Sequence, residues 1–194
     1  MLIYLHGFNS SPASFKANLL GRRLESLGRG REFSAPALPH RPSEAAALLE
    51  AEVAKHPDAA LVGSSLGGYY ATWLAEKHGL KAALVNPAVR PYELLRPYLG
   101  TQQNLHTGER YEFTQVHLDE LRALEVERIT PERYLLMVRT GDEALDYRQA
   151  LERYRGCRSL VLEGGDHAFS AFGQYLDLVL AFCGAKSRQC YEGF

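Results

Sequence analysis

Cysteine is scarce: Cys157, Cys183 and Cys190 are the three in 194 residues. An odd number at such wide spacing supplies neither a disulfide framework nor a metal knuckle. An excess of one charge is missing too. Lys and Arg total 22 against 23 Asp and Glu, a formal net charge of −1, so no electrostatic pull toward nucleic acid or an acidic membrane is expected. No apolar run comes near the roughly 20 residues that cross a bilayer. Met1-Leu2-Ile3-Tyr4-Leu5 carries neither a basic leader nor a cleavage site. Repeats and low-complexity segments are absent as well. These gaps exclude membrane, secreted-scaffold and repeat architectures, and the expectation is a cytoplasmic protein with no metal, no nucleic-acid partner and an oligomeric state that composition leaves open.

What is present suffices for a packed core. Hydrophobic residues make up 46% of the chain, and a chain of this length buries roughly 70% of its unfolded surface. The sequence is organised around Leu61-Val62-Gly63-Ser64-Ser65-Leu66-Gly67-Gly68-Tyr69-Tyr70. An apolar run from Ala59 to Val62 enters a Gly-x-Ser-x-Gly turn, and a helix-like stretch from Tyr69 to Ala75 leaves it. Strand, tight turn and helix are the context in which this motif reads as a nucleophile elbow. Gly63 and Gly67 let strand and helix approach where a side chain would collide. Ser65 then stands at a helix N-terminus, where unpaired N–H groups and the helix dipole favour negative charge. The Leu66 N–H becomes one arm of an oxyanion hole.

Strand-like runs alternate with amphipathic stretches along the rest of the chain. Leu2–Leu5, Glu32–Leu38, Lys81–Val85, Tyr134–Val138 and Ser159–Leu162 are strand candidates. Helices are expected from Ser14 to Gly28, from a Ser43 cap onward, over Gln115–Glu125, over Tyr147–Tyr154 and over Phe172–Phe182. On the first of these Phe15, Leu19, Leu20, Leu24 and Leu27 form the apolar face, and Lys16, Arg22 and Arg23 the solvated one. This rhythm implies an α/β fold with a mostly parallel sheet covered by helices on both faces. Residues 1–184 make one domain, 87–131 a small cap-like excursion with a polar, turn-rich Gly100–Thr114, and 185–194 a loose tail. Arg90, at the root of the excursion, is a candidate for holding a substrate carboxylate or phosphate, with an ordinary ion pair as the alternative.

Ligands in such sheets sit beyond the carboxyl ends of the strands. At those ends stand His6-Gly7-Phe8-Asn9, Ser65, Asn86, Asp142 and His167. The backbone of Phe8, or of Asn9, would be the second oxyanion donor, with the His6 side chain tying the loop together. Serine at an elbow, acid after a later strand and histidine after the last strand is the α/β-hydrolase order of a Ser-His-Asp triad. His167 would take the Ser65 proton, and Asp142 would hold the imidazole. Asp146 shares the loop of Asp142 but is placed to cap the following helix. His40, His56, His78, His106 and His117 lie in polar or helical stretches and are expected at the surface.

At these motifs the chain is similar to the α/β-hydrolases, and within them to small bacterial esterases of the YqiA type. The matching stretches are Leu5–Pro12, Gly63–Ala75, Asn86–Leu95, Thr140–Ala150 and Glu163–Phe169. The resemblance implies hydrolysis of small carboxylic acyl esters without a cofactor, with acyl thioesters as the alternative substrates. It sets Ser65, Asp142 and His167 at the triad positions. The chain departs from the wider superfamily in opening at what would be the third strand, without the leading antiparallel strands, and in its short excursion. A catalytically silent binding protein on the same fold is the reading from another class.

Overall fold

The structure is a computed structural model, and it describes residues 1–104 and 106–184. The expected tail, residues 185–194, lies outside the described residues, as does Cys190. Six strands form the main sheet: β1 (Leu2–Leu5), β2 (Phe33–Ser34), β3 (Ala60–Ser64), β4 (Ala82–Val85), β7 (Tyr134–Arg139) and β8 (Arg158–Leu162). They lie in the order β2-β1-β3-β4-β7-β8, and every pairing is parallel. The helices are α1 (Phe15–Ser26), α2 (Pro42–Lys55), α3 (Leu66–His78), α4 (Pro91–Leu94), α5 (Gln115–Ala123), α6 (Tyr147–Arg153) and α7 (Leu176–Phe182).

Alternation along the strands explains how one sheet feeds two cores. Ile3, Leu5, Leu61, Leu84, Leu136 and Val138 face one way, toward Leu49 of α2, Leu74 of α3 and Leu121 of α5. Tyr4, Val62, Ala83, Val85, Leu135 and Met137 face the other, toward Leu20 and Leu24 of α1 and Val179 and Leu180 of α7. Both faces of the inner strands are buried, so these strands read as unbroken apolar runs. Each large apolar side chain buried this way contributes about 1.5–3 kcal/mol before the entropy of ordering it. From β1 the chain passes to β2 on one side and later to β3 on the other. Strand order therefore reverses at the β1–β3 pair, and the crevice opens above their carboxyl ends.

Several elements differ from expectation. The second strand is only Phe33–Ser34, because Pro36 and Pro39 lack the N–H groups a ladder needs. Arg41, not Ser43, occupies the N-cap of α2, with Pro42 opening the helix. Phe15 is 55% exposed rather than part of the apolar face of α1. The last helix divides into a 3-10 segment, Ser170–Tyr175, and α7. The polar stretch after Gly100 is not a loop but an antiparallel hairpin of β5 (Gly100–Gln103) and β6 (Arg110–Phe113). Its cause is period-2 alternation, with Tyr111 and Phe113 buried between exposed Arg110 and Glu112.

His117 is buried, against the expectation of a surface position. Its Nδ1 accepts from the Thr114 N–H at 3.1 Å and closes a capping box at the start of α5. Its ring packs 5.0 Å from that of Phe113.

Candidate active site

Ser65 sits between β3 and α3 at φ 54°, ψ −122°, a left-handed geometry that costs a non-glycine residue of order 1–3 kcal/mol. The surroundings allow nothing looser. A Cβ on Gly63 would fall on the Gly67 carbonyl, and one on Gly67 would fall on the Leu5 carbonyl. The glycines are there because β1, β3 and α3 touch through their backbones. The Ser65 N–H is tied to the Val85 carbonyl at 3.1 Å, and its carbonyl accepts from Ala88 N at 3.1 Å. The strained conformation is thereby held from both sides.

The carboxyl ends of β7 and β8 bring two further groups to Ser65. His167 Nε2 lies 3.1 Å from Ser65 Oγ, and His167 Nδ1 lies 2.8 Å from Asp142 Oδ2. The Asp142 side chain is 2% exposed, against 26% for His167. Oδ1 of Asp142 also accepts from the N–H groups of Ala144 and Leu145, at 2.9 and 2.8 Å. Asp146, the alternative acid, instead caps α6 by accepting from Arg148 N at 3.0 Å. The structure therefore brings Ser65, His167 and Asp142 into one chain of hydrogen bonds and leaves Asp146 outside it.

Two N–H groups stand beside the serine. Gly7 lies so close that a Cβ there would be 3.2 Å from Ser65 Cβ, and the following residue, Phe8, lines the same cleft as Ser65. Among the described residues, neither the Phe8 N–H nor the Leu66 N–H has a hydrogen-bond partner. The loop carrying Phe8 is fixed from below and above. His6 Nε2 accepts from Leu38 N at 3.1 Å, while its Nδ1 lies 3.0 Å from the Gly7 carbonyl. Above, Tyr111 donates to Asn9 Oδ1 at 2.6 Å, Asn9 donates to Gln102 Oε1 at 3.2 Å, and Asn104 donates to the Ser10 carbonyl at 2.9 Å. The hairpin is thus fastened over this loop.

Residues 1–184 match the family described as "Uncharacterised protein family (UPF0227)". The chain belongs to the UPF0227 family. Its fold is the compact α/β-hydrolase fold, as comparison with solved structures of low identity makes plain. A protein from Agrobacterium vitis S4, taken to be a hydrolase, superposes with a TM-score of 0.72 at 18% identity, over 94% of this chain and 87% of that one. For the mouse alpha/beta hydrolase domain-containing protein 10 the figures are 0.67, 17%, 95% and 87%. For Est1E from Butyrivibrio proteoclasticus they are 0.66, 16%, 95% and 88%, and Est1E has also been solved with ferulic acid bound.

Within this UPF0227 chain, Arg90 does not reach the serine. Its side chain is 59% exposed, lies 3.8 Å from Glu93, and lines a separate cleft with Val89, Gln149, Glu152 and Arg153. The pairing follows from the (i, i+3) spacing of Arg90 and Glu93 at the start of α4. Two residues matter here that sequence reasoning did not assign. Asn86, buried and at φ 41°, donates to the carbonyls of Asp166 and His167 at 3.1 Å each and accepts from Arg139 N at 3.0 Å. It holds the histidine loop against β7. Its position at the end of β4 was the available signal. The other is Lys16, expected on a solvated face. Its ammonium instead donates to the Ala168 carbonyl at 2.6 Å, and the residue lines the same cleft as Ser65 and His167.

Proposed function

We propose that this protein is a serine hydrolase acting on small carboxylic acyl esters through a covalent acyl-enzyme. The observation that carries the reading is the unbroken chain from Ser65 Oγ through His167 to a nearly fully buried Asp142. Ser65 Oγ attacks the ester carbonyl carbon while His167 Nε2 takes the hydroxyl proton. The carbonyl π electrons move onto oxygen, and the oxyanion is met by the Phe8 and Leu66 N–H groups. As that oxygen reforms its double bond, the C–O bond to the alcohol breaks and His167 returns the proton to the leaving oxygen. Water then repeats the cycle on the acyl-serine, releasing the acid and restoring Ser65. Asp142 keeps Nδ1 protonated and stabilises the imidazolium between the two transfers.

A narrow space of about 40 Å³ beside Phe8 and Leu66, walled by Leu38, Tyr70 and Tyr111, supports a small acyl group. That Est1E, which has the same fold, binds ferulic acid supports a carboxylic acyl group as the ligand class. The test is a pair of neighbours: Ser65→Ala removes turnover of a short-chain aryl ester by roughly a million-fold while the thermal melt holds, and Ser64→Ala keeps most of it. Loss with Ser64→Ala and retention with Ser65→Ala would overturn the assignment.

A further inference from the structure

Ser65 and His167 open onto a cleft of about 170 Å³ whose opposite wall is the start of α1, with Ser14, Phe15 and Lys16. That wall is built from donors. The Lys16 ammonium gives one proton to the Ala168 carbonyl, which leaves two for a ligand. Ser14 Oγ is buried and makes no well-formed hydrogen bond, although it faces the Tyr4 hydroxyl. The N-cap of α1 provides no side-chain acceptor, and among the described residues the N–H groups of Phe15, Lys16 and Ala17 have none either. A 12-residue helix thus turns an uncapped positive end to the cleft.

Burial pulls Lys16 down to about 8, against the attraction of Asp166 and Asp142, so it is still charged at neutral pH. Asp166 is itself engaged by the N–H and hydroxyl of Ser170, at 2.9 and 2.5 Å. The position of His167 tells which part of a substrate belongs here. Nε2 returns its proton to the leaving oxygen, so a cleft sharing Nε2 with the serine receives the alcohol rather than the acyl group.

We infer that this cleft binds the leaving alcohol of the substrate and that this alcohol carries a compact anion, a carboxylate or a phosphate, held by Lys16, Ser14 and the first turn of α1. The inference rests on the hydrolase reading above. It adds a specificity that a triad alone does not supply, because a neutral ester would give the Lys16 ammonium and the first-turn N–H groups of α1 no anionic acceptor.

The test uses three acetyl esters: 4-acetoxybenzoate, 4-acetoxyphenyl phosphate and methyl 4-acetoxybenzoate. Each kcat/KM is divided by the rate with hydroxide, and Ser65 is titrated with a fluorophosphonate. The full chain is expected to favour at least one anionic ester over the neutral one by about 10- to 100-fold, chiefly in KM, the range of a charge-assisted contact. The better of the two anionic esters identifies the anion. Lys16→Met should bring the ratio within the same protein to about one, and Lys16→Arg should restore most of it. Equal rates on all three with wild type, or an unchanged ratio in Lys16→Met, overturn the inference while the hydrolase reading stands. Absence of both labelling and turnover overturns the two together. Since the wild-type ratio decides first, a variant that folds poorly does not obscure the result.

Discussion

Changing Asp142 to Asn separates orientation from packing. In the folded protein Oδ1 accepts from Ala144 N and Leu145 N and lies 3.0 Å from His167 Nδ1, while Oδ2, the nearer oxygen, lies 2.8 Å from it. The two backbone donors will hold the Asn carbonyl at the Oδ1 position, which puts its NH₂ at the Oδ2 position, the one nearest His167 Nδ1. Two N–H donors cannot face each other, so the imidazole moves its proton to Nε2. That nitrogen then has no lone pair for the Ser65 proton. Turnover should fall by roughly four orders of magnitude, about 5.5 kcal/mol of activation free energy, as in a chymotrypsin-type triad with the same change. Because both backbone contacts survive, folding stability should change by only about 1 kcal/mol. Asp146→Ala predicts the opposite damage: loss of the α6 cap costs about 1 kcal/mol and leaves turnover nearly intact. Thermal melts and ester turnover on both variants decide the matter. If Asp142→Asn keeps wild-type turnover and Asp146→Ala loses it, the orientation argument is refuted.

Asn86→Ala removes three hydrogen bonds to the His167 loop and to Arg139. It should lower kcat by about 100-fold through histidine misplacement and cost about 3 kcal/mol in a denaturant melt; an unchanged kcat would count against its positioning role. Gly67→Ala puts a methyl group onto the Leu5 carbonyl and should prevent soluble folded protein from accumulating, so a normal melt would mean that β1 and α3 are not in backbone contact. Burial holds His6 and His117 below the ordinary value of 6.5 in the fold. The unfolded chain therefore binds more protons once pH drops below about 6.5, so their contribution is full above that pH and is lost progressively down to the folded values. His117→Asn, which keeps an acceptor for Thr114, should make the fall of the melting temperature between pH 7.5 and 5.5 shallower, and an equally steep fall would contradict this origin.

Much of this fold is legible because the inner strands are buried on both faces. Leu2–Leu5 and Tyr134–Val138 therefore stand out as apolar runs, and the Gly63–Gly67 turn between strand and helix marks their meeting point. Chain order likewise separates Ser65, Asp142 and His167, since each follows a strand. The hairpin was hidden because only alternate residues of Arg110–Phe113 are apolar, and four residues make a weak period-2 signal. His117 looked exposed because its helix is polar, and only the hairpin packing on α5 reveals its burial. Lys16 looked solvated for the same reason: its partner, the Ala168 carbonyl, comes from far along the chain. Arg90 drew notice as a cation near a strand end, and of its two readings the ion pair is the one the structure displays, 3.8 Å from Glu93. No helix among the described residues is long and apolar enough to cross a membrane.

The central claim is that Ser65 is an activated nucleophile, and covalent labelling tests it most directly. Folded protein treated with a fluorophosphonate at neutral pH should gain one adduct, mapped by peptide mass spectrometry to Ser65, and should lose esterase turnover in step with labelling. Asp142→Asn should slow that labelling strongly, and Ser65→Ala should abolish it. Folded wild-type protein that stays unlabelled, or an adduct on any other serine, would contradict the account.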